Sequence, residues 1–311
     1  MPPLARHGVY PIAEVGRAAR HWVSLPEEAG TEGLSPRSRR MIKKLLTRAV
    51  SALPESAQFQ IRERYWRLKS RFLYQSLYGV LHLEHTLNSG LAVKVASKGE
   101  WWAYNEIFVN GEYDVPIQTA LGASSGKPFV VLDLGANVGY FTFRVLDLIR
   151  QQHLEHVLPD ITTVEGSPET YSTLQERLRS QHLAPASVRT VHGLAGERTG
   201  SAPMRESAVH VKSSIVDVPA GGGVNVAFVD VNALMREKVA IDLLKCDIEG
   251  AELIFIENYS DLLRKVRFAV FELHHNLCDT EKCLRALESL GFHQTILRAN
   301  DSCSVSFHSR A

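Results

Sequence analysis

The feature that most constrains this chain is the run Val130-Val131-Leu132-Asp133-Leu134-Gly135-Ala136-Asn137-Val138-Gly139-Tyr140-Phe141. A continuous apolar strand ends in an acid, passes through a glycine turn and leads into a helix. That succession suits a buried strand at the carboxyl edge of a parallel sheet, where doubly wound folds place their ligands. Gly135 lets the backbone turn and approach a ligand with no Cβ in the way. Gly139 lets the next helix begin close against the sheet. The order is D-x-G-x-N-x-G rather than G-x-G-x-x-G. A dinucleotide site turns bare amides toward a pyrophosphate, which an acid two residues before the first glycine would repel. S-adenosylmethionine (SAM) has no phosphate, and its zwitterionic end is well served by Asp133. The motif favours SAM over NAD.

The rest of the chain supplies the sheet this motif needs. Apolar runs predict buried strands at 129–134, 161–165, 188–192, 241–247 and 266–273. Helical spacing predicts helices at 139–151, 168–181, from 251, and at 280–290, with Pro168 at a favoured first position. Runs at 292–297 and 303–308 read as an antiparallel C-terminal hairpin. Ahead of the first motif, short strands are expected at 80–85 and 91–96, hinged at Asn88-Ser89-Gly90, then a helix at 100–109. The stretch 196–230, with Gly221-Gly222-Gly223 at a turn, reads as an inserted hairpin. Strands alternating with helices imply an α/β fold, a doubly wound and mostly parallel sheet covered on both faces. The expected organisation is a basic helical region over 1–80 and a SAM-binding domain over 81–311.

Three further strand ends carry chemistry. Glu165 closes the second strand, where an acid can accept both ribose hydroxyls. Leu244-Lys245-Cys246-Asp247-Ile248-Glu249-Gly250-Ala251-Glu252 brings Lys245, Asp247 and Glu249 to the same edge, where buried charge is costly unless paired or used. Phe271-Glu272-Leu273-His274-His275 adds an acid and two imidazoles, suitable groups for accepting a hydroxyl proton.

With Asp133 to Gly139, Val164-Glu165, Leu244 to Glu252 and Phe271 to His274 in order, the chain resembles the FkbM-type methyltransferases. The segment from Trp102 to Asp114 resembles that family's lead-in, and the likeness spans residues 91–292. It departs at Gly166-Ser167-Pro168, where the family tends to have Pro-Asn-Pro, and at Cys246, where an aliphatic residue is usual. The resemblance implies a class I SAM-dependent (Rossmann-like) fold and O-methyltransferase activity on sugars, glycans or natural-product hydroxyls. On this reading Asp133, Gly135, Asn137, Gly139 and Glu165 serve the cofactor. Asp247, Glu249, Glu272 and His274 face the acceptor, with His274 or Asp247 as the base. The related macrocin-type sugar methyltransferases use magnesium at comparable strand ends, which makes Asp247, Glu249 and Glu272 a candidate set for a divalent cation. The alternatives are a non-catalytic SAM-fold binding protein and an N-methyltransferase on a nucleic-acid base. The second lacks support, because no Asn/Asp-Pro-Pro-Tyr/Phe run follows the fourth strand.

Charge and cysteine content narrow the setting. With 35 Lys and Arg against 34 Asp and Glu, the chain is not basic throughout, so no nucleic-acid partner is expected. The segment from Arg37 to Arg71 nevertheless holds eleven Lys and Arg against Glu55 and Glu63. Its apolar residues recur at helical spacing, which predicts two helices with one face covered by the catalytic domain, a second subunit or a membrane surface, the first two being favoured. No run of 18 apolar residues occurs and no secretory signal is readable. Cys246, Cys278, Cys283 and Cys303 have no CxxC spacing, which favours reduced thiols and a cytoplasmic setting.

Overall fold

The computed structural model describes residues 83–124, 128–154, 156–204 and 224–310. The expected N-terminal helices, including 37–71, and the Gly221-Gly222-Gly223 turn lie outside the described residues. Strands β1 (Leu83–Thr86) and β2 (Ala92–Val95) form an antiparallel pair. Helix α1 (Lys98–Tyr104) follows, capped by Ser97, whose hydroxyl accepts from the Glu100 amide at 3.1 Å. It runs directly into a π-helical turn, Asn105–Val109. Helix α2 (Asp114–Gly122) was not expected. Its apolar signal is short, Pro116 sits in its first turn, and only packing of Ile117, Ala120 and Leu121 into the core settles it.

Strands and helices then alternate as the sequence predicts. The order is β3 (Pro128–Leu134), α3 (Tyr140–Gln151), β4 (Leu158–Glu165), α4 (Pro168–Arg179) and β5 (Ser187–His192). An antiparallel pair follows, β6 (Ser201–Met204) and β7 (Val224–Ala227), which are the two arms of the expected hairpin. Then come α5 (Val231–Leu234), β8 (Ile241–Cys246), α6 (Glu252–Asn258), α7 (Ser260–Leu263), β9 (Val266–His274), α8 (Thr280–Ser289), β10 (His293–Ala299) and β11 (Cys303–Ser309).

Seven strands make the central sheet in the order β10-β11-β9-β8-β3-β4-β5. Strands β9, β8, β3, β4 and β5 are parallel, and β11 lies antiparallel between β9 and β10. This is the class I arrangement. From β3 the chain crosses to β4 on one side and returns at β8 on the other, so a crevice opens beyond the carboxyl ends of β3 and β8. Both faces of the sheet are covered. Phe129 and Val131 face a cluster containing Phe141, Phe143 and Ile117, while Val130, Leu132 and Leu134 face one containing Phe255, Tyr259 and Leu287. Full burial of side chains such as Phe129 or Leu132 contributes about 1.5–3 kcal/mol each, enough to fix the strand register on which the site depends. Among the described residues no helix is long and apolar enough to cross a membrane, and all four cysteines are free thiols.

Candidate active site

The turn after β3 is built around one close approach. Gly135 has φ 71°, and a Cβ there would sit 1.7 Å from the Asp247 carbonyl oxygen. The ends of β3 and β8 can meet only because that atom is missing. Gly139, also at positive φ, starts α3 close against Leu174. Asn137 is left-handed at φ 51° without being glycine, and its own Oδ1 accepts from the Val138 amide at 2.8 Å. Its amide donates to Glu165 Oε2, and the Ser167 amide donates to Glu165 Oε1, each at 2.8 Å. Glu165 therefore ties the β3 and β4 turns together. Burial raises its pKa, against those two hydrogen bonds.

Asp133 takes a different place from the one expected. It is fully buried and lines neither of the two cavities described below. Its Oδ2 accepts from Thr142 Oγ1 at 3.0 Å, and its Oδ1 lies 3.7 Å from Lys245 Nζ without a hydrogen bond. Lys245 donates to the Gly135 carbonyl at 2.7 Å and approaches Asp247 Oδ2 at 3.3 Å. Burial opposes the Lys245 charge, but Asp247, Asp133 and Glu272 outweigh it and hold its pKa above the ordinary lysine value. A buried acid, a buried cation and a turn carbonyl thus lock the Gly135 loop onto β8.

The acids and the imidazole of β8 and β9 do come together. His274 Nε2 is 3.3 Å from Glu249 Oε2, and its Nδ1 is 3.3 Å from Glu252 Oε1. Glu252 is itself sealed from solvent and accepts from the Ile248 and Gly250 amides. Burial by itself would lower the His274 pKa, but the Glu252 hydrogen bond and the charges of Asp247 and Glu249 raise it to about 10. The surrounding carboxylates therefore favour the protonated ring, whereas the sequence expectation was a free base. Burial, then Asp247, push the Glu249 and Glu272 carboxyls well above the usual range. Glu249 also sits at φ 51°, a strained backbone of the kind that clusters at working sites.

The candidate cation set also shifts. Ligand atoms of Asp247, Glu249 and His274 lie within 4.8 Å of one another, whereas Glu272 is outside that group. Glu272 instead faces Arg298 Nη2 at 3.5 Å. Arg298 also reaches Glu112 at 2.9 Å and Glu106 at 3.4 Å, joining β10 to the segment that follows α1. A register shift between Ile296 and Arg298 sets Arg298 in the row of Val305 and Glu272. Sequence reading missed Arg298, since nothing local announces a bulge. Glu252 had a signal, standing in the quoted motif five residues after Asp247. His275 is exposed and lies outside the cluster.

Two cavities meet here. One of about 610 Å³ is lined by Gly135, Glu165, Gly166, Leu194 and Met204. The other, about 1290 Å³, is lined by Trp102, Tyr113, Tyr140, Glu272, His274 and Arg298. Asn137, Asp247 and Glu249 line both.

Residues 133–300 match the methyltransferase FkbM domain family. No curated protein matches the chain by sequence. Among solved structures, magnesium protoporphyrin IX methyltransferase from Synechocystis PCC 6803 with bound SAM is similar at 10% identity and TM-score 0.40, over 80% of this chain and 96% of that one. The human methyltransferase 10 domain containing protein is similar at 12% identity and TM-score 0.41, over 78% and 97%. Aeropyrum pernix fibrillarin in complex with SAM is similar at 12% identity and TM-score 0.36, over 62% and 73%.

Proposed function

The chain belongs to the FkbM methyltransferase family and is a SAM-dependent methyltransferase, and we propose that its acceptor is a hydroxyl group of a sugar, glycan or natural product. The observation that carries this reading is the junction of the two cavities at Asn137, Asp247 and Glu249. A glycine-floored cavity with Glu165 at its side suits an adenosine-bearing ligand, and the larger cleft beyond suits an acceptor. SAM supplies a methyl group activated on a sulfonium. The chain's own residues supply alignment and proton management. Gly135, held by Lys245, gives the backbone its close approach, and Glu165 offers its remaining lone pairs to ribose hydroxyls.

On the acceptor side, positioning accounts for most of the rate. Glu249 and Glu272 have proton affinities raised toward neutrality, which suits a group that takes up a hydroxyl proton during reaction. A divalent cation would be held by Asp247, Glu249 and His274 and would acidify a hydroxyl beside it. Glu252 on Nδ1 would then turn Nε2 toward the cation, the usual carboxylate support for a ligating imidazole.

The test is methyl transfer from SAM carrying a ¹³C-labelled methyl group to a panel of sugars, glycans and hydroxylated small molecules. Carbon NMR of the product distinguishes a methyl on oxygen from one on nitrogen. An O-methyl product is the expected result. A methyl found only on nitrogen, or SAM binding with no transfer to any hydroxyl compound, overturns the reading.

A further inference from the structure

Two thiols lie behind the β9 end of the site, and the methyl-transfer reading uses neither. Asp279 is the N-cap of α8, its side chain accepting from the Lys282 amide at 3.0 Å. Cys278 therefore occupies the position just before the cap, and Cys283 the fourth helical position. Those are the two positions whose side chains meet across a helix start when they are apolar. Cys278 packs against the buried cluster that contains Cys283. Cys283 is fully buried, while Cys278 is half-buried and is the sulfur that a small oxidant reaches first. The turn between them is pinned, because the Cys278 amide donates to the His274 carbonyl at 3.0 Å and the Cys283 amide to the Asp279 carbonyl at 3.0 Å. Cys246, on β8, belongs to the same buried cluster, and Cys303 stands on β11.

We propose that Cys278 and Cys283 form an oxidisable dithiol that a peroxide closes to an intramolecular disulfide. The Cys278 sulfur attacks one peroxide oxygen, the O–O bond breaks, and a sulfenic acid and one water result. The Cys283 sulfur then attacks the Cys278 sulfur, the S–O bond breaks, and the hydroxyl leaves as water with the Cys283 proton. Two thiols and one hydrogen peroxide give one disulfide and two waters, so the electrons balance.

The experiment treats the reduced full-length protein with hydrogen peroxide, blocks residual thiols and maps tryptic peptides. Lys282 stands between the two cysteines, so trypsin separates them and a bridge must join two peptides. The expected result is one linked pair, residues 268–282 with 283–285, that dithiothreitol separates. Two of the four thiols should be lost, and Cys278→Ser should keep its three remaining thiols under the same treatment. The proposal is overturned if Cys278 is found as sulfinic or sulfonic acid without a bridge. It is equally overturned if the bridge involves Cys246 or Cys303, if it joins two chains, or if all four thiols persist.

Discussion

Replacing Gly135 by alanine tests the junction of β3 and β8 directly. An L-residue at φ 71° costs about 1–2 kcal/mol by itself. The added Cβ would also lie 1.7 Å from the Asp247 carbonyl oxygen and 2.8 Å from its carbon, both backbone atoms. Relief by rotation is blocked on each side. The Gly135 amide donates to the Val164 carbonyl at 3.0 Å, the Asp247 amide to the Leu134 carbonyl at 3.1 Å, and Lys245 to the Gly135 carbonyl at 2.7 Å. Moving the turn must break at least one of these, at about 1–3 kcal/mol for a buried group left unpaired. The sum is about 2–5 kcal/mol, or a fall in Tm of roughly 4–20 °C for a domain of this size. Gly291→Ala is the control, because its φ is 87° with nothing within 4 Å of the added atom. It should show the backbone cost alone. Scanning calorimetry measures both variants, and titration with S-adenosylhomocysteine should find binding lost only in Gly135→Ala. Equal Tm losses in the two variants, with wild-type binding in Gly135→Ala, would refute the close-approach argument.

Three other outcomes follow from the same geometry. Glu165→Ala should weaken SAM binding and also lower stability, because the Asn137 and Ser167 amides lose their acceptor; NAD should not bind the parent protein in the same calorimeter. His274→Ala should lower turnover roughly 10–100-fold or more with little change in S-adenosylhomocysteine affinity, because it removes one of the three groups that would hold a cation, and EDTA should abolish activity that magnesium restores; full turnover by the chelated variant would sink that role. His308 is buried against Phe271 and Phe292, and burial lowers its pKa from 6.5 to about 4, so between those values only the unfolded chain takes up the proton. Its contribution is intact above pH 6.5 and is lost as pH falls to 4, about 3 kcal/mol in all, so His308→Gln should flatten the stability curve over that window in urea titrations.

What the sequence made legible, and what it hid, separates along one physical line. Strands β3, β8 and β9 were readable because a strand buried on both faces must be apolar throughout, and an acid or glycine at its end then stands out. The positions of Asp133, Gly135, Glu165, Asp247 and His274 at one sheet edge came from that contrast. The direction in which each charge points did not. Asp133 and Lys245 are register partners across the β3–β8 pair, so their side chains share a face and lie within reach of each other. Sliding β8 by a single residue would send Lys245 to the opposite face. The register is set by the apolar residues before it, such as Leu243 and Leu244, packed on opposite faces of the sheet, and not by the charges themselves. The charge on His274 depends in turn on Glu252, which belongs to the helix after β8 and meets β9 only because those strands are neighbours. Local chemistry therefore names the groups at the edge, while long-range packing decides which of them is a brace, which carries a proton and which faces the acceptor.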